Sequence, residues 1–565
     1  MSAERRLKVV LCWHMHQPEY RDLITGEYQL PWSYLHAIKD YTDMAAHLES
    51  VAGAKAVVNF APILLEQLDD LSARLRAHLE HGAALPDPLL AALEGSSIPR
   101  DDAARRELVD ACLRANRDHM INRFPAYQQL ADLAHWLLDN RALGYANDQF
   151  FADLATWYHL VWLGETVRRQ DAAVQALIEQ GSGFSVAQRR LLLTRMSDLV
   201  ADLVPRYRRL AQSGRVELTL SPYGHPILPL LLELAVAREA LPAVELPTAA
   251  SYPGGRERAR RHLEHGLEVF EQRFGFRPRG CWPSEGGVSA AALQLIEEVG
   301  FEWAATGQSV LQHSLARSAV TEASVGAPHR PFRPDRSELH LFARDDGLSD
   351  LIGFTYGSWH ADDAVANFLH HLENIAAQSA KGPERIVAMI LDGENAWDHY
   401  PNNGFYFLHA LYHRLATHPS IELTTFSEVI DAEVEAVGLP TLVAGSWVYG
   451  TFSTWIGDPD KNRGWDLLCE AKQAFDEVVV AEGGDSELAL AAERQLLVCE
   501  GSDWFWWFGD YNPEETVMHF DQLFRRHLRN LYRALGREPP ASLDRPLSQG
   551  RGGPEAGGVM RRGQA

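Results

Sequence analysis

The residues best suited to chemistry stand just after short apolar runs, where a β-strand would end. His14 and His16 follow the run "KVVLCW" (8–13) and are two residues apart, so on a strand both imidazoles point to the same face. Further runs are followed by carboxylates, imidazoles and tryptophans, in "SPYGHP" (221–226), "WPSEGG" (282–287), "RDD" (344–346) and "DGENAWDHY" (392–400). Acidic pairs beside aromatic rings suit sugar chemistry, because rings stack on a pyranose face while carboxylates bind hydroxyls and cleave the acetal.

The residues alone leave two interpretations of the histidine pair open. Several metal-dependent hydrolases begin with His-x-His at the first strand end, and His225, Asp346 and Asp392 are available as further ligands. The other interpretation is a pair of packed or hydrogen-bonded histidines with no ligand.

Strand-like and helical segments alternate along the chain, which predicts a parallel sheet. Seven or eight such units within about 430 residues favour a closed barrel, and no G-x-G-x-x-G follows the first strand, which argues against a Rossmann sheet. The predicted strands are 8–13, 54–60, 216–220, 280–282, 301–306, 339–344, 386–391 and 421–426. In such a barrel the functional groups gather where strands end.

Helical patterns interrupt and follow this alternation. We predict a catalytic barrel over residues 1–436 with a mostly helical insertion at about 70–210, and a separate α-helical domain over 437–540. The Gly-rich residues 541–565 lack apolar periodicity and are predicted to be a disordered tail.

Composition excludes several classes of protein. The net charge of −23 argues against a nucleic-acid partner and against an anionic membrane surface. No apolar run is long enough to span a bilayer, and the first run is interpreted as a strand, not as a signal peptide. Five scattered cysteines without a CxxC pair predict neither disulfides nor structural zinc, and favour the cytoplasm.

Five segments in order resemble glycoside hydrolase family 57, most closely its amylopullulanase and α-amylase branch. They are "HMHQPEYRD…YQLPWSYLHAIKDYTDM" (14–44), "GRVELTLSPYGHPILPLL" (214–231), "CWPSEGGVS" (281–289), "LDGENAWDHYPNNG" (391–404) and "GSWVYGTFSTWIGDPDKNRGWDLL" (445–468). "SDWFWWFGD" (502–510) also resembles the helical C-terminal part of that branch. The resemblance implies a (β/α)7 barrel, an incomplete TIM-like fold, that acts on α-glucans.

The resemblance assigns the two catalytic carboxylates. It makes Glu285 the nucleophile and Asp392 the general acid/base of a retaining double displacement, in which one carboxylate attacks while the other gives and then takes a proton. From the residues alone, Glu285 is equally well a first-turn helix carboxylate, and Asp392 a turn residue before Gly393. Glu394 and Asp398 are local rivals for the acid role.

The resemblance also implies a sugar-binding set with no metal and no cofactor. His16, with Gln17 and Pro18, would hold the sugar in the −1 subsite, as neutral donors. Glu217 would bind a hydroxyl or position the nucleophile, although an exposed strand glutamate is the alternative. The full predicted binding set is His14, His16, Gln17, Glu217, His225, Trp282, Trp359, Trp397 and Trp455. The cluster "WFWWF" (504–508) is interpreted as packing between the helical domain and the barrel.

We therefore expect a cytoplasmic retaining enzyme that hydrolyses α-glucans or maltooligosaccharides. A 4-α-glucanotransferase or a glucan branching enzyme would use the same two carboxylates. From other classes, a metal-dependent polysaccharide deacetylase and a non-catalytic glucan-binding protein are the alternatives.

Overall fold

Ten strands form one sheet in the part of the chain that the computed structural model describes, residues 6–95, 98–379, 382–482 and 486–552. All pairs are parallel except the β6–β7 pair. The strands are β1 (Leu7–Met15), β2 (Ala56–Phe60), β3 (Val216–Leu220), β4 (Gly280–Cys281), β5 (Trp303–Thr306), β6 (Phe332–Pro334), β7 (His340–Ala343), β8 (Ile386–Asp392), β9 (Ile421–Leu423) and β10 (Val437–Leu439).

Seven of these strands curl into a ring. The pairing runs β7-β5-β4-β3-β2-β1-β8, and a parallel bridge between Arg344 and Ala388 joins β7 to β8. The amide of Asp345 donates to the Ala388 carbonyl at 2.8 Å. The predicted (β/α)7 architecture is confirmed.

The eight predicted strands are all present, and two short ones were missed. β6 contains a proline and β10 a glycine, and each has only three residues at the end of the sheet beyond β7. Proline and glycine are poor strand formers, so these segments look like loops in the sequence.

Alternation along the strands decides which side chains fill the ring. Val10 and Cys12 of β1 belong to a small interior cluster with Ala388 and Ile390 of β8. Because side chains alternate, the next residues of the same parity, His14 and Asp392, point to the same side at the carboxyl end. The intervening residues pack outward against the helices.

The helices cover the outside of the ring and form the C-terminal region. The α-helices are α1 (Trp32–His36), α2 (Thr42–Ser50), α3 (Pro62–His81), α4 (Pro88–Glu94), α5 (Asp102–Cys112), α6 (Pro125–Asp139), α7 (Asp148–Trp162), α8 (Glu165–Gln170), α9 (Ala172–Gln180), α10 (Val186–Gln212), α11 (Leu228–Leu232), α12 (Gly255–Phe274), α13 (Ala290–Glu298), α14 (Gln308–Arg317), α15 (Glu322–Val325), α16 (Asp346–Asp350), α17 (Ala361–Ser379), α18 (Phe405–Ala416), α19 (Phe426–Asp431), α20 (Pro459–Glu482), α21 (Glu487–Cys499), α22 (Asp503–Trp507) and α23 (Glu514–Ala534). Shorter 3-10 turns are Leu143–Tyr145, Leu234–Arg238, Ser284–Gly286, Tyr356–Ser358, Trp397–His399, Pro401–Gly404 and Ala541–Asp544, and π turns are Ala37–Tyr41, Arg117–Ile121 and Leu351–Thr355.

Two long helical stretches flank the strands that carry the site. Helices α3 to α10 lie between β2 and β3, and α20 to α23 follow the last strand. Within the predicted tail, the amides of Leu547 and Ser548 donate to Asp521, whereas 553–565 lie outside the described residues. No helix of the described residues has the length and apolar character needed to cross a bilayer.

Candidate active site

Strand register places two predicted residues, His14 and Asp392, side by side. His14 at the end of β1 is the register partner of Asn59 on β2 and of Asp392 on β8. Glu285 follows β4, in the 3-10 turn Ser284–Gly286. All four side chains therefore belong to the carboxyl edge of the ring, as the sequence predicted for His14, Glu285 and Asp392.

Glu285 is held in an uncommon backbone conformation. Its φ of 56° and ψ of 26° lie in the left-handed region, which side chains other than glycine rarely adopt. The next residue, Gly286, also has a positive φ, of 58°, and a Cβ there would lie 2.9 Å from the Trp282 ring. Such strained residues concentrate at functional sites, because the surrounding structure must enforce them.

Trp447 fixes Glu285 from the far side of the cleft. Its indole Nε1 donates to Glu285 Oε2 at 2.8 Å, and its backbone amide donates to the Glu285 carbonyl at 3.1 Å. The Trp282 ring packs edge-on against Trp447, with ring centroids 5.5 Å apart. One carboxylate oxygen of Glu285 is thus occupied by an indole, and the carboxylate has a fixed orientation.

Asp392 is oriented by a separate set of contacts. Asn395 Nδ2 donates to Asp392 Oδ2 at 2.9 Å. Arg344, at the end of β7, donates through Nε to the Ile390 carbonyl at 2.8 Å and pairs with Asp346 and Asp350. Its positive charge acts on Asp392 without a direct ion pair between them among the described contacts.

Burial raises the pKa of both candidate catalytic carboxyls. The pKa of Glu285 rises to about 8, first through burial and then through the negative charge of Asp392, while the Trp447 hydrogen bond opposes the rise. Burial also raises the pKa of Asp392, against the hydrogen bond from Asn395 and the charges of His16 and Arg344. With the pKa of Glu285 at about 8, the carboxyl pair holds a proton at neutral pH.

Three imidazoles stack beside this pair. The ring centroids of His14 and His225 are 5.0 Å apart, and those of His16 and His225 are 3.9 Å apart. His14 Nδ1 lies 2.6 Å from Asn59 Oδ1, His16 Nε2 lies 2.8 Å from Asp503 Oδ1, and His225 Nδ1 lies 3.1 Å from Ser502 Oγ. The second ring nitrogen of each is buried without a hydrogen-bond partner among the described residues.

Burial keeps two of these rings neutral. It lowers the pKa of His14 to about 3 and that of His225 well below its ordinary value, and in both cases neighbouring imidazoles lower the pKa further. His225 Nδ1 also lies 3.9 Å from Glu285 Oε1. Neutral imidazole nitrogens without protein partners are free to bond sugar hydroxyls.

One group of the described residues also has the geometry of a metal site. His16, His225 and Asp503 offer one donor atom each, all within 4.8 Å of one another. Nitrogen and carboxylate donors of this kind suit zinc. Of the further ligands proposed from sequence, His225 is in this group, whereas Asp346 and Asp392 are not.

Glu394 is a further buried carboxyl at the rim of the site. Its Oε1 accepts from the His16 amide at 3.3 Å and from Gln17 Nε2 at 3.2 Å, while its Oε2 has no partner among the described residues. Burial and the charge of Asp392 raise its pKa well above the ordinary value. Its hydrogen bond from Gln17 Nε2 orients the Gln17 amide.

These groups line one cleft of about 1280 Å³. Its floor includes His14, His16, Gln17, Glu285 and Asp392. Its walls come from distant parts of the chain and include Trp32, Arg114–Asp118, Trp162, Trp447, Tyr449, Asp503, Trp506, Trp507 and residues 513–516. The shape is wide enough for several sugar units.

Six residues of the predicted binding set do not line this cleft. One of them, His225, is fully buried, where it stacks on His14 and His16 and contacts Ser502. Glu217 stands near the amino end of β3, where it accepts hydrogen bonds from Trp303 and Ser427. Trp282, Trp397 and Trp455 are buried in packing contacts, and Trp359 lies on the surface against Tyr356. The Glu217 side chain points into the ring, but it stands at the end of the strand opposite the cleft. The alternation of residues along the strand therefore did not suffice to predict its position.

Other residues of the cleft were missed. Trp447 lies in the segment 445–468 and Asp503 in the segment 502–510, both singled out by resemblance, but neither was chosen. Trp506 packs against Trp455 and Trp507 against Phe520, and both also line the cleft. The cluster 504–508 therefore does more than the interdomain packing predicted for it. These residues lie far along the chain from the strand ends. No sequence pattern therefore indicated that they would lie near Glu285.

Comparison with solved structures finds the same fold in distant relatives. A family 57 branching enzyme from Thermococcus kodakaraensis is 16% identical with a TM-score of 0.59, and the alignment covers 96% of this chain and 94% of that one. A branching enzyme from Pyrococcus horikoshii is 17% identical with a TM-score of 0.59, covering 95% and 93%. The α-amylase AmyC from Thermotoga maritima is 15% identical with a TM-score of 0.57, covering 94% of each chain.

The family model for glycosyl hydrolase family 57 matches residues 10–443, which include the strand ring from the middle of β1 onward and both candidate catalytic carboxyls. With a match over most of its length, the chain belongs to glycosyl hydrolase family 57.

Proposed function

We propose that this chain is a retaining enzyme that cleaves α-glucans, with the hydrolytic activity of an α-amylase or amylopullulanase. The observation that carries the proposal is the pairing of Glu285 and Asp392, two buried carboxyls that line one cleft and lie close enough for the charge of Asp392 to raise the pKa of Glu285. Family membership supports glycoside chemistry, and the cleft size and its tryptophans support a chain of several glucose units.

In the first step Asp392 donates its proton to the glycosidic oxygen while Glu285 attacks the anomeric carbon. A bound substrate favours the state in which Asp392 carries the proton and Glu285 is ionised, because positive charge developing on the sugar stabilises the Glu285 carboxylate. The Trp447 hydrogen bond also favours the ionised form of Glu285. The C–O bond breaks, the leaving chain takes the proton, and a glucosyl ester forms on Glu285.

In the second step Asp392 acts as a base. It removes a proton from an incoming water, whose oxygen attacks the anomeric carbon and releases Glu285. The partnerless nitrogens of His14 and His16, which line the cleft, are assigned to the hydroxyls of the sugar in the −1 subsite. Gln17 adds a further donor, held in place by Glu394 and Tyr20.

A specific feature favours transfer to a second glucan as the other candidate function. The segments 114–118 and 513–516 line the cleft and, with Trp506 and Trp507, contribute aromatic and charged side chains to its wall. An acceptor chain held there would replace water in the second step, which gives a 4-α-glucanotransferase or a branching enzyme.

Product analysis separates these functions. The purified chain is incubated with maltooligosaccharides and with pullulan, with and without EDTA, and product lengths are measured. We expect shorter products only, equal in both conditions; a ladder of longer and shorter chains would establish transfer instead. Loss of activity with EDTA, restored by zinc, would contradict the proposal and favour a metal site at His16, His225 and Asp503.

We also propose the predicted domain division and a cytoplasmic location. The barrel over 1–436 would carry both catalytic carboxyls, and the helical region over 437–540 would contribute Trp447 and Asp503 to the cleft. All five cysteines are buried and free, which suits a reducing compartment.

A further inference from the structure

Helix α23 carries a row of arginines outside the catalytic cleft. Gln522, Arg526, Arg529 and Arg533 follow one another at spacings of three or four residues, which places them on one face of the helix, and Arg525 lies beside Arg526. The four arginines thus lie within three turns of a chain whose net charge is −23.

The first two arginines of the row are neutralised by buried carboxylates. Arg525 donates from Nε and Nη2 to Asp521 Oδ2 at 2.8 and 2.6 Å. Arg526 donates to Asp22 Oδ2 at 3.1 Å. Asp22 in turn accepts from Asn530 at 2.9 Å, so it is rigidly held.

The last two arginines are not matched in this way. Arg529 donates to the Leu543 carbonyl and lies 3.6 Å from Asp544, a carboxylate whose side chain is 76% exposed. Arg533 donates to the neutral Oδ1 of Asn530 at 3.4 Å and has no carboxylate within ion-pair distance among the described residues. Burial, and repulsion from Arg525, Arg533 and Arg526, lower the pKa of Arg529.

These side chains enclose a cavity of about 320 Å³ between the helix and the loop that carries Asp22. Its lining consists of Asp22, Gln522, Arg525, Arg526, Arg529 and Arg533. It shares no lining residue with the catalytic cleft. The lining is therefore dominated by guanidinium groups and presents hydrogen-bond donors around a small space.

We propose that this cavity binds a phosphate group, either as inorganic phosphate or as the phosphate monoester of a sugar. Planar guanidinium groups bind tetrahedral oxyanions through paired N–H donors, and an anion here would relieve the repulsion between the arginines. The cavity is large enough for a phosphate group, and the sugar of a monoester would extend toward solvent past the exposed Gln522.

Calorimetric titration of the full-length protein at low ionic strength tests the site. The probes are inorganic phosphate and glucose 6-phosphate, with glucose as the control for binding in the catalytic cleft. We expect saturable binding of one phosphate per chain, weakened at least tenfold in Arg529→Gln/Arg533→Gln. The matched control is Arg190→Gln/Arg209→Gln, which removes two exposed arginines of α10 and the same total charge, and should bind as the unaltered chain does.

A second variant protects the test against misfolding. Gln522→Glu places a carboxylate at the cavity without removing an arginine, and should also weaken phosphate binding about tenfold. Tighter binding of glucose 6-phosphate than of phosphate identifies a monoester as the ligand, and equal affinity identifies inorganic phosphate; either supports the site. Absence of saturable binding, or equal weakening in the α10 control, overturns it.

Discussion

At the scale of single residues, the account depends on how Glu285 is held. Its left-handed backbone and the indole of Trp447 fix the carboxylate in one orientation, with Oε2 occupied and Oε1 facing His225 at 3.9 Å. Pre-organisation of this kind lowers the cost of reaching the transition state, because no side chain has to reorient. The same contacts determine the proton affinity of Glu285, so they are testable through pH.

Trp447→Phe should shift the acidic limb of the pH profile. The hydrogen bond from Trp447 lowers the pKa of Glu285, so its loss raises that pKa, and activity that needs an ionised Glu285 begins at higher pH. A hydrogen bond to a charged group is worth about 1.5–3 kcal/mol. We expect about half of this energy to act on the pKa of Glu285, which corresponds to a shift of the acidic limb by about 0.5–1 pH unit. The measurement is kcat/KM against pH.

The matched control for this variant is Trp507→Phe, which changes another indole of the cleft that makes no hydrogen bond to Glu285 among the described residues. Its acidic limb should not move. In the unaltered enzyme this limb should already lie above the range of an ordinary glutamic acid, because burial raises the pKa of Glu285 to about 8. An acidic limb that moves to lower pH in Trp447→Phe would refute the assignment.

Asp392→Ala should affect substrates according to their leaving group. The variant lacks the proton donor but keeps the nucleophile, so maltooligosaccharides, with poor leaving groups, should lose roughly 10²–10⁴-fold in kcat/KM. Aryl α-glucosides should lose much less, since a phenolate leaves without protonation. Steady-state rates on both substrates provide the comparison; equal losses would transfer the acid role to Glu394, whose pKa is also raised.

At the scale of elements, strand parity and strand ends explain which site residues the sequence predicted. His14 and Asp392 share a face with interior residues of their strands, and Glu285 follows β4 directly. The same reasoning failed for Glu217, because it is the second of the five residues of β3. It therefore stands at the amino end of the strand, away from the cleft at the carboxyl end. Trp447 and Asp503 come from segments without strand pattern, so only the three-dimensional structure joins them to the pair.

A buried ion cluster connects α12 to the C-terminal helices. Glu500, directly after α21, accepts from Arg258 at 2.8 and 2.9 Å and lies 2.9 Å from His262 Nε2. Its carboxylate is buried, and Tyr252 also donates to it. The cluster holds the helical region that contributes Asp503 and Trp507 to the cleft.

Glu500→Gln should destabilise the fold, because it leaves the Arg258 guanidinium buried with a weaker partner. Removing one member of a buried ion pair costs about 3–5 kcal/mol, measured by urea unfolding or by the melting temperature. Glu493→Gln, which removes a more exposed partner of the same Arg258, is the matched control and should cost less.

The effect of Glu500→Gln should depend on pH. Partners lower the pKa of Glu500 to about 2 in the folded chain, below its ordinary 4.5. The stabilisation is therefore present above pH 4.5 and is lost as the pH falls toward 2. The difference in stability between the unaltered chain and Glu500→Gln should shrink over this interval; a difference that grows in acid would contradict the role of the ionised carboxylate.

At the scale of the whole molecule, the cleft is assembled from segments hundreds of residues apart. The strand ring supplies His14, Glu285 and Asp392, and the region after β10 supplies Trp447 and Asp503. The arginine cavity on α23 lies on a helix whose first turn, Glu514–Thr516, lines the catalytic cleft. Function in this account is thus a property of how the ring and the helices pack together.

The proposed mechanism requires that Glu285 forms a covalent bond to the sugar. The most direct measurement is mass spectrometry of intact Asp392→Ala protein after mixing with an α-glucosyl fluoride, whose fluoride leaves without a proton donor. Without Asp392 as base, the ester should accumulate. We predict added mass of one glucosyl group, mapped by proteolysis to the peptide containing Glu285, and none in Glu285→Gln/Asp392→Ala. No adduct, or an adduct on another carboxylate, would contradict the account.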